Sequence, residues 1–273
     1  MSNSTLVNVA SAFDVARTPG LRDEVVVAVE RAVLVGSVAP GQRLVESEIA
    51  RQMGISKAPV REALRELERL GLVVSYPRRG TFVAEITPTV ASEAYSLRAV
   101  IESYAARLAA RRHTERDLTG LEELIARTDA EPTHSAEHLI RRAELDLAFH
   151  DEVYRLSGHG HLQEAWGNLR ARIRVLLVAT GVLRDNDLAT EGRRPYVRWH
   201  APVVTALRAR DPDLAEAAVI RHLVVGERDL VRRLGGNLAH LRVEAEALER
   251  RPDLAPLLGH ISTTDRVVVL GST

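Results

Sequence analysis

A mainly α-helical chain in two parts, a three-helix unit closed by a β-hairpin and then an all-α bundle, follows from three observations. Apolar residues recur at spacings of three and four through most of the sequence. Two short β-type runs flank Pro77-Arg78-Arg79-Gly80, whose Pro and Gly supply turn dihedrals. A polar stretch, Glu85-Ile86-Thr87-Pro88-Thr89, separates that hairpin from the long helical region. The 273 residues are 45% hydrophobic and 27% charged, which suits one or two globular domains and excludes disorder and collagen.

In order along the first part, 21–36 and 46–53 read as amphipathic helices and 56–70 as a third, stopped by Gly71. Residues 72–76 and 81–84 read as the hairpin strands. Three helices and a hairpin predict a winged helix-turn-helix over 1–86, with its core at about 20–84. After Pro88, helices are predicted over 90–112, 118–128, 136–156, 162–179, 196–210 and 214–234, punctuated at Gly158 and Gly160, at Gly181, at Asp211-Pro212 and at Gly235-Gly236. This bundle spans 87–236. An extension, 237–273, adds a helical stretch at 238–249 and a strand-like run at 266–270 without an evident function.

Zero cysteines exclude a disulfide framework and thiolate metal sites. The N-terminal 16 residues have no basic stretch leading into an apolar one, and the longest apolar run, 175–183, is too short to span a bilayer. A soluble, cytoplasmic protein with no membrane partner is the expectation.

The formal charge is zero, from 37 basic and 37 acidic residues, which at first argues against DNA. The distribution reverses that argument. Residues 1–50 carry four Arg against six acids, whereas 51–80 carry seven basic residues against Glu62, Glu66 and Glu68. Ser56 is a suitable N-cap and Pro59 sits in the first turn, so the third helix starts at Lys57. At 100° per residue, Val60, Ala63, Leu64, Leu67 and Leu70 form its buried face, and Lys57, Arg61, Arg65 and Arg69 run along an adjoining exposed one. That stripe, with the wing-tip pair Arg78-Arg79, is what a helix entering the major groove beside a hairpin on adjacent phosphate needs. A solvated face, with Arg61 and Arg65 paired to Glu62 and Glu66, explains the stripe alone equally well. Of 37 basic residues 36 are Arg, and the single lysine, Lys57, falls at the tip of this helix; genomic base composition accounts for the bias.

The stretch as a whole resembles the GntR family of bacterial transcription regulators. The resemblance runs through Gly36-Ser37-Val38-Ala39-Pro40-Gly41, Leu44-Val45-Glu46-Ser47-Glu48-Ile49-Ala50, Gly54-Ile55-Ser56-Lys57-Ala58-Pro59-Val60-Arg61-Glu62-Ala63-Leu64 and Gly71-Leu72-Val73, ending at Gly80-Thr81-Phe82-Val83. It implies that Lys57 and Arg61 reach base edges or phosphate, with Ser56, Ala58 and Pro59 beside them and Gly80 at the wing tip. Arg65, Arg78 and Arg79 complete the expected DNA surface.

In the second part, Asp146 and His150 are one turn apart on a predicted helix and share a face. His200 and His222 lie on two further helices, and if these face the first, one carboxylate and three imidazoles converge on a cation. Such a set suits zinc, nickel or another first-row divalent ion. Ten histidines are scattered along the chain, and any one of them is as readily a satisfied or surface residue. Tyr95-Ser96-Leu97-Arg98-Ala99-Val100-Ile101-Glu102, the run from Ala105 to Ala110, the Asp146–His150 segment with Leu156-Ser157-Gly158, and finally His200 and His222 are similar to the FCD effector domain of the FadR-type branch. This implies a divalent metal on Asp146, His150, His200 and His222 and a small carboxylate beside it. An arginine can pair with the effector's other end: Arg98 and Arg172 are the candidates, with Arg170 or Arg174 able to replace Arg172.

Three functions fit. The first is a ligand-responsive homodimeric regulator, a repressor in most such proteins, whose two recognition helices bind a double-stranded inverted-repeat operator. The second is a metal-dependent hydrolase, disfavoured because no separate general base stands near the motif. The third is a constitutive repressor whose metal only pins helices together.

Overall fold

The computed structural model describes residues 20–132, 135–185, 197–237 and 241–258. The winged unit comprises α1 (Leu21–Leu34), β1 (Arg43–Leu44), α2 (Glu46–Met53), α3 (Lys57–Arg69), β2 (Val73–Tyr76) and β3 (Gly80–Val83). The helix starts follow the sequence closely, and α3 begins at Lys57 as expected, although the Ser56 side chain makes no capping hydrogen bond. Val60, Ala63, Leu64 and Leu67 are buried against Val25 and Val29 of α1, while Leu70 is only partly covered. β1 was not foreseen: its two residues pair antiparallel with β3, giving sheet order β1-β3-β2. Two residues are too few to display a period of two.

The wing turn differs from the reading that Pro77 and Gly80 supply its dihedrals. The Arg79 amide donates to the Tyr76 carbonyl at 3.1 Å, with Pro77 at the first corner and Arg78 at the second. Arg78 has φ 63°, the left-handed position of a type II turn that glycine or asparagine normally fills.

The bundle consists of α4 (Pro88–Arg112), α5 (Glu115–Ala130), α6 (Ala136–Ser157), α7 (Gly160–Asp185), α8 (Val197–Arg208) and α9 (Pro212–Arg233). Local capping sets most starts. Thr87 accepts from the Val90 amide with Pro88 at the first helical position, Thr114 and Asp117 form a capping box, Ser135 caps α6, and Asp211 caps α9 with Pro212 following. Gly181 does not end α7, which continues to Asp185; one glycine in a helix costs only about 1 kcal/mol. The long α4 buries Ala91, Ala94, Ala99, Ala105, Ala106, Ala109 and Ala110. These small side chains let α9, with Ala215, Ala217 and Ala218 on its inner face, pack closely along it. The expected helix at 238–249 is observed as α10 (Val243–Arg250), with 238–240 outside the described residues. A 3-10 turn (Pro252–Leu254) and α11 (Ala255–Leu258) follow. The run at 266–270 also lies outside the described residues.

The two parts meet where α1 and the end of α3 rest on α6 and α7. Ala143, Val175 and Val178 join the winged unit's apolar core. Around them Arg174 pairs with Glu30, Arg69 donates to the Asn168 amide oxygen, and Arg31 lies 3.6 Å from Glu137.

Candidate nucleic-acid interface and metal centre

On the winged unit Ser56, Lys57, Ala58, Arg61, Arg65, Arg78 and Arg79 are exposed, and Pro59 and Gly80 partly so. They form one face running from the tip of α3 to the wing. The i to i+4 pairs considered for the stripe do not form. Arg61 instead reaches Glu46 at the start of α2, with Nη2 to Oε2 at 3.1 Å and its side chain 54% exposed. Arg69 pairs with Glu66. An exposed pair of this kind is worth about 0–1 kcal/mol and yields readily to a phosphate. Arg43 escaped the sequence reading. Its guanidinium lies against Gly80, where an added Cβ would stand 3.0 Å from Arg43 Nε, so it adds a cation beside the wing. The pairing of β1 with β3 places it there.

In the bundle, α6 contributes His150, α8 His200 and α9 His222. One ring nitrogen from each lies within 4.8 Å of the other two. The rings stand 4.1 Å apart for His200 and His222, 5.1 Å for His150 and His222, and 5.4 Å for His150 and His200. Asp146, one turn before His150, brings Oδ1 to 3.4 Å from His200 Nε2 and Oδ2 to 4.0 Å from His150 Nε2. All four residues singled out in the sequence therefore meet. Phe149 closes one wall, edge-on to His150 and His200.

A further layer orients this cluster. Glu102 on α4 is fully buried; one carboxylate oxygen accepts from His150 Nδ1 and the other from Arg98 Nε at 2.8 Å. With the Nδ1 proton committed to Glu102, His150 turns the Nε2 lone pair towards the other imidazoles, the arrangement by which a carboxylate fixes a metal-binding histidine. Burial alone would raise the Glu102 carboxyl, but the Arg98 guanidinium and the His150 imidazole outweigh it and hold it well below the usual carboxylate range. Burial, followed by the nearby His150 and Arg98, pushes His222 well below its ordinary value, so its ring is neutral and free to donate a lone pair. His150 Nε2 and His222 Nδ1 are buried with no hydrogen-bond partner. Buried polar atoms are rarely left so. Two unsatisfied imidazole nitrogens beside a carboxylate fit a cation, and a neutral N/O donor set suits zinc or nickel.

Arg98, expected near the effector, is 1% exposed beside this cluster, with Nη2 buried and unpartnered. Arg172 is not there. Its guanidinium donates to the Gly71 carbonyl at 3.3 Å, at the junction with the winged unit, and an added Cβ on Gly71 would fall 1.9 Å from Arg172 Nη2. Neither alternative replaces it, because Arg170 is held by Asp151 and Glu144, and Arg174 by Glu144 and Glu30. Glu102 was missed as a partner, although its position four residues after Arg98, among small residues, is the available signal. Tyr154 and Trp166, stacked at 5.0 Å beside the cluster, carried no sequence signal beyond being aromatic. Among the described residues no helix is long and apolar enough to cross a membrane.

Residues 21–83 match the bacterial regulatory proteins of the gntR family, and residues 93–224 match the FCD domain. A probable D-xylose utilization operon transcriptional repressor of Paenarthrobacter nicotinovorans is 35% identical over 193 residues, covering 69% of this chain and 79% of that one. The HTH-type transcriptional repressor RspR of Escherichia coli is 30% identical over 193 residues, covering 68% of this chain and 78% of its own. The solved structure of E. coli McbR/YncC shares the fold at TM-score 0.60 and 23% identity, covering 79% of this chain and 99% of that one. A putative GntR regulator from Rhodococcus also matches at TM-score 0.60, with 22% identity over 77% of this chain and 97% of its own. These relatives are regulators, which overturns the hydrolase reading of the metal cluster. The chain belongs to the GntR family, as a DNA-binding transcription regulator with an FCD domain, and is not an enzyme.

Proposed function

We propose that this regulator is a cytoplasmic, homodimeric repressor that binds an inverted-repeat operator and responds to a small carboxylate at a divalent metal held by Asp146, His150, His200 and His222. The observation that carries this reading is the buried imidazole cluster, with unsatisfied nitrogens on His150 and His222 and Glu102 orienting His150 from behind. A bound zinc or nickel ion supplies a Lewis-acidic position for a carboxylate oxygen. The chain's own residues do the rest: Glu102 fixes the His150 tautomer and holds Arg98, whose Nη2 is available to the ligand.

Coupling to DNA runs through α6 and α7. The helix that carries Asp146 and His150 also carries Glu144 and Asp151, which hold Arg170 and Arg174, and Arg174 grips Glu30 on α1. A ligand that shifts α6 thus acts on the seating of the winged unit. Support for the dimer comes from α4, where Leu97, Val100 and Tyr104 are exposed at spacings of three and four, between Glu93 near one end and Arg111 near the other. Antiparallel pairing of two copies along this stripe sets Glu93 of each copy opposite Arg111 of the other.

Metal analysis of purified protein should give one zinc or nickel per chain, falling to none in His150→Ala. Gel shifts with the protein's own upstream region should then show at least a tenfold change in affinity with one member of a carboxylate panel. Metal-free protein with an intact fold would sink the reading. A metal-bearing protein whose DNA affinity ignores every carboxylate would favour the purely structural metal.

A further inference from the structure

Four unsatisfied buried polar atoms lie around one aromatic wall. Two are the imidazole nitrogens of His150 and His222; the others are Arg98 Nη2 and the Tyr154 hydroxyl. Trp166 joins them. The Arg98 guanidinium carbon lies 5.3 Å from the Trp166 ring centre, Tyr154 stacks on the same ring at 5.0 Å and 11°, and the His150 ring is 6.3 Å away. Tyr95 covers Arg98 further out, at 5.5 Å. Trp166 has its own N–H committed to Asp151 at 2.6 Å and acts only as a wall. A metal ion satisfies the imidazoles but leaves the guanidinium N–H and the phenol without partners, at a cost a natural core rarely bears.

Charge narrows what fills that space. Facing the cluster are two carboxylates, Asp146 and Glu102, and one guanidinium, Arg98. With neutral imidazoles, a divalent ion leaves a single positive charge in the buried site. A monoanion cancels it, whereas a dianion would leave an uncompensated negative charge away from water. Tyr154 is buried near Glu102, and burial pushes its phenol far above the ordinary value, so it stays a neutral hydroxyl. Its proper partner is therefore another neutral hydrogen-bonding group.

We propose that the effector is a hydroxylated monocarboxylate, its carboxylate shared between the metal and Arg98 and its hydroxyl met by Tyr154, with Trp166 as the stacking wall. This rests on the metal-dependent sensing proposed above and specifies its ligand. Tyr154 is then a specificity-determining residue: removing its hydroxyl keeps the shape of the site but deletes the partner of the ligand hydroxyl.

Calorimetric titration of zinc-loaded, full-length protein tests this with three probe sets: lactate, glycerate and gluconate; propionate as the hydroxyl-free monocarboxylate; succinate and malate as dicarboxylates. At least one hydroxylated monocarboxylate should bind about tenfold more tightly than propionate and than either dicarboxylate. In Tyr154→Phe that preference over propionate should vanish, with zinc affinity and propionate binding unchanged. Preference for a dicarboxylate, absence of binding by all the hydroxylated monocarboxylates, or a preference that survives in Tyr154→Phe would overturn the assignment while leaving the metal centre standing. Failure of the folded protein to take up zinc or nickel would instead remove the metal-dependent reading beneath it.

Discussion

The winged unit and the bundle use arginine in opposite ways. Arg61 and Arg65 stand in water on α3, one of them lightly held by Glu46, whereas Arg98 is sealed inside α4, with Glu102 on one nitrogen and rings on two sides. On the surface, the charge costs the fold little and remains available to a polyanion. Inside, the same charge has to be matched by a carboxylate before the helix can pack at all, and its leftover N–H points at a ligand. The lesson is that a net charge of zero says little about function; what decides is which charges the fold has already answered.

The sharpest way to break this contrast is to remove the buried partner. Glu102→Ala leaves Arg98 without its carboxylate and should cost about 3–5 kcal/mol in denaturant unfolding, a large part of a domain's stability. Next in size, Arg61→Ala should weaken operator binding by about 1–3 kcal/mol, with a loss of specificity in gel shifts, while unfolding changes by no more than about 0.5 kcal/mol. If Arg61→Ala unfolded the protein, or Glu102→Ala left stability unchanged, the division between the two regions would collapse. Arg78→Gly sharpens it on the winged side. Relief of the left-handed backbone should raise stability by up to about 1 kcal/mol, and the lost cation should lower DNA affinity and flatten its salt dependence.

The smallest expected effect concerns Glu227, buried between α9 and α10. Burial pushes its carboxyl up, against the Ser92 hydroxyl and the Arg242 and Val243 amides that it accepts from. With the folded value above the unfolded one, the native state holds the proton more tightly between the two. Stability is therefore full below the unfolded value and declines as pH rises through the folded one. Amide-exchange protection across Val243–Arg250 should fall over that window, and Glu227→Gln should abolish the dependence.

The sequence made helix starts legible because their causes are local: Thr87-Pro88, Thr114 with Asp117, and Asp211-Pro212 each act within one turn. The four candidate metal donors were also legible, being rare residue types at positions facing inward from their helices. Arg172 was not, because neighbouring arginines on one helix point to different places. It lies two residues, about 200°, from Arg170, so one turns to Asp151 on α6 and the other to Gly71 in the winged unit. Glu102, Tyr154 and Trp166 were hidden for a further reason: they act by touching groups on other helices, and no spacing within one segment announces such a meeting.

The pairing of α4 with α9 joins residues 88–112 to residues 212–233. Contacts within the winged unit mostly link neighbours along the chain, so that unit can settle as soon as it leaves the ribosome. The alanine face of α4 must wait, exposed, until more than a hundred further residues have been synthesised and α9 arrives. During synthesis the DNA-reading half thus exists before the half that would instruct it, and the nascent regulator's period of greatest exposure to aggregation is set by how late α9 is made.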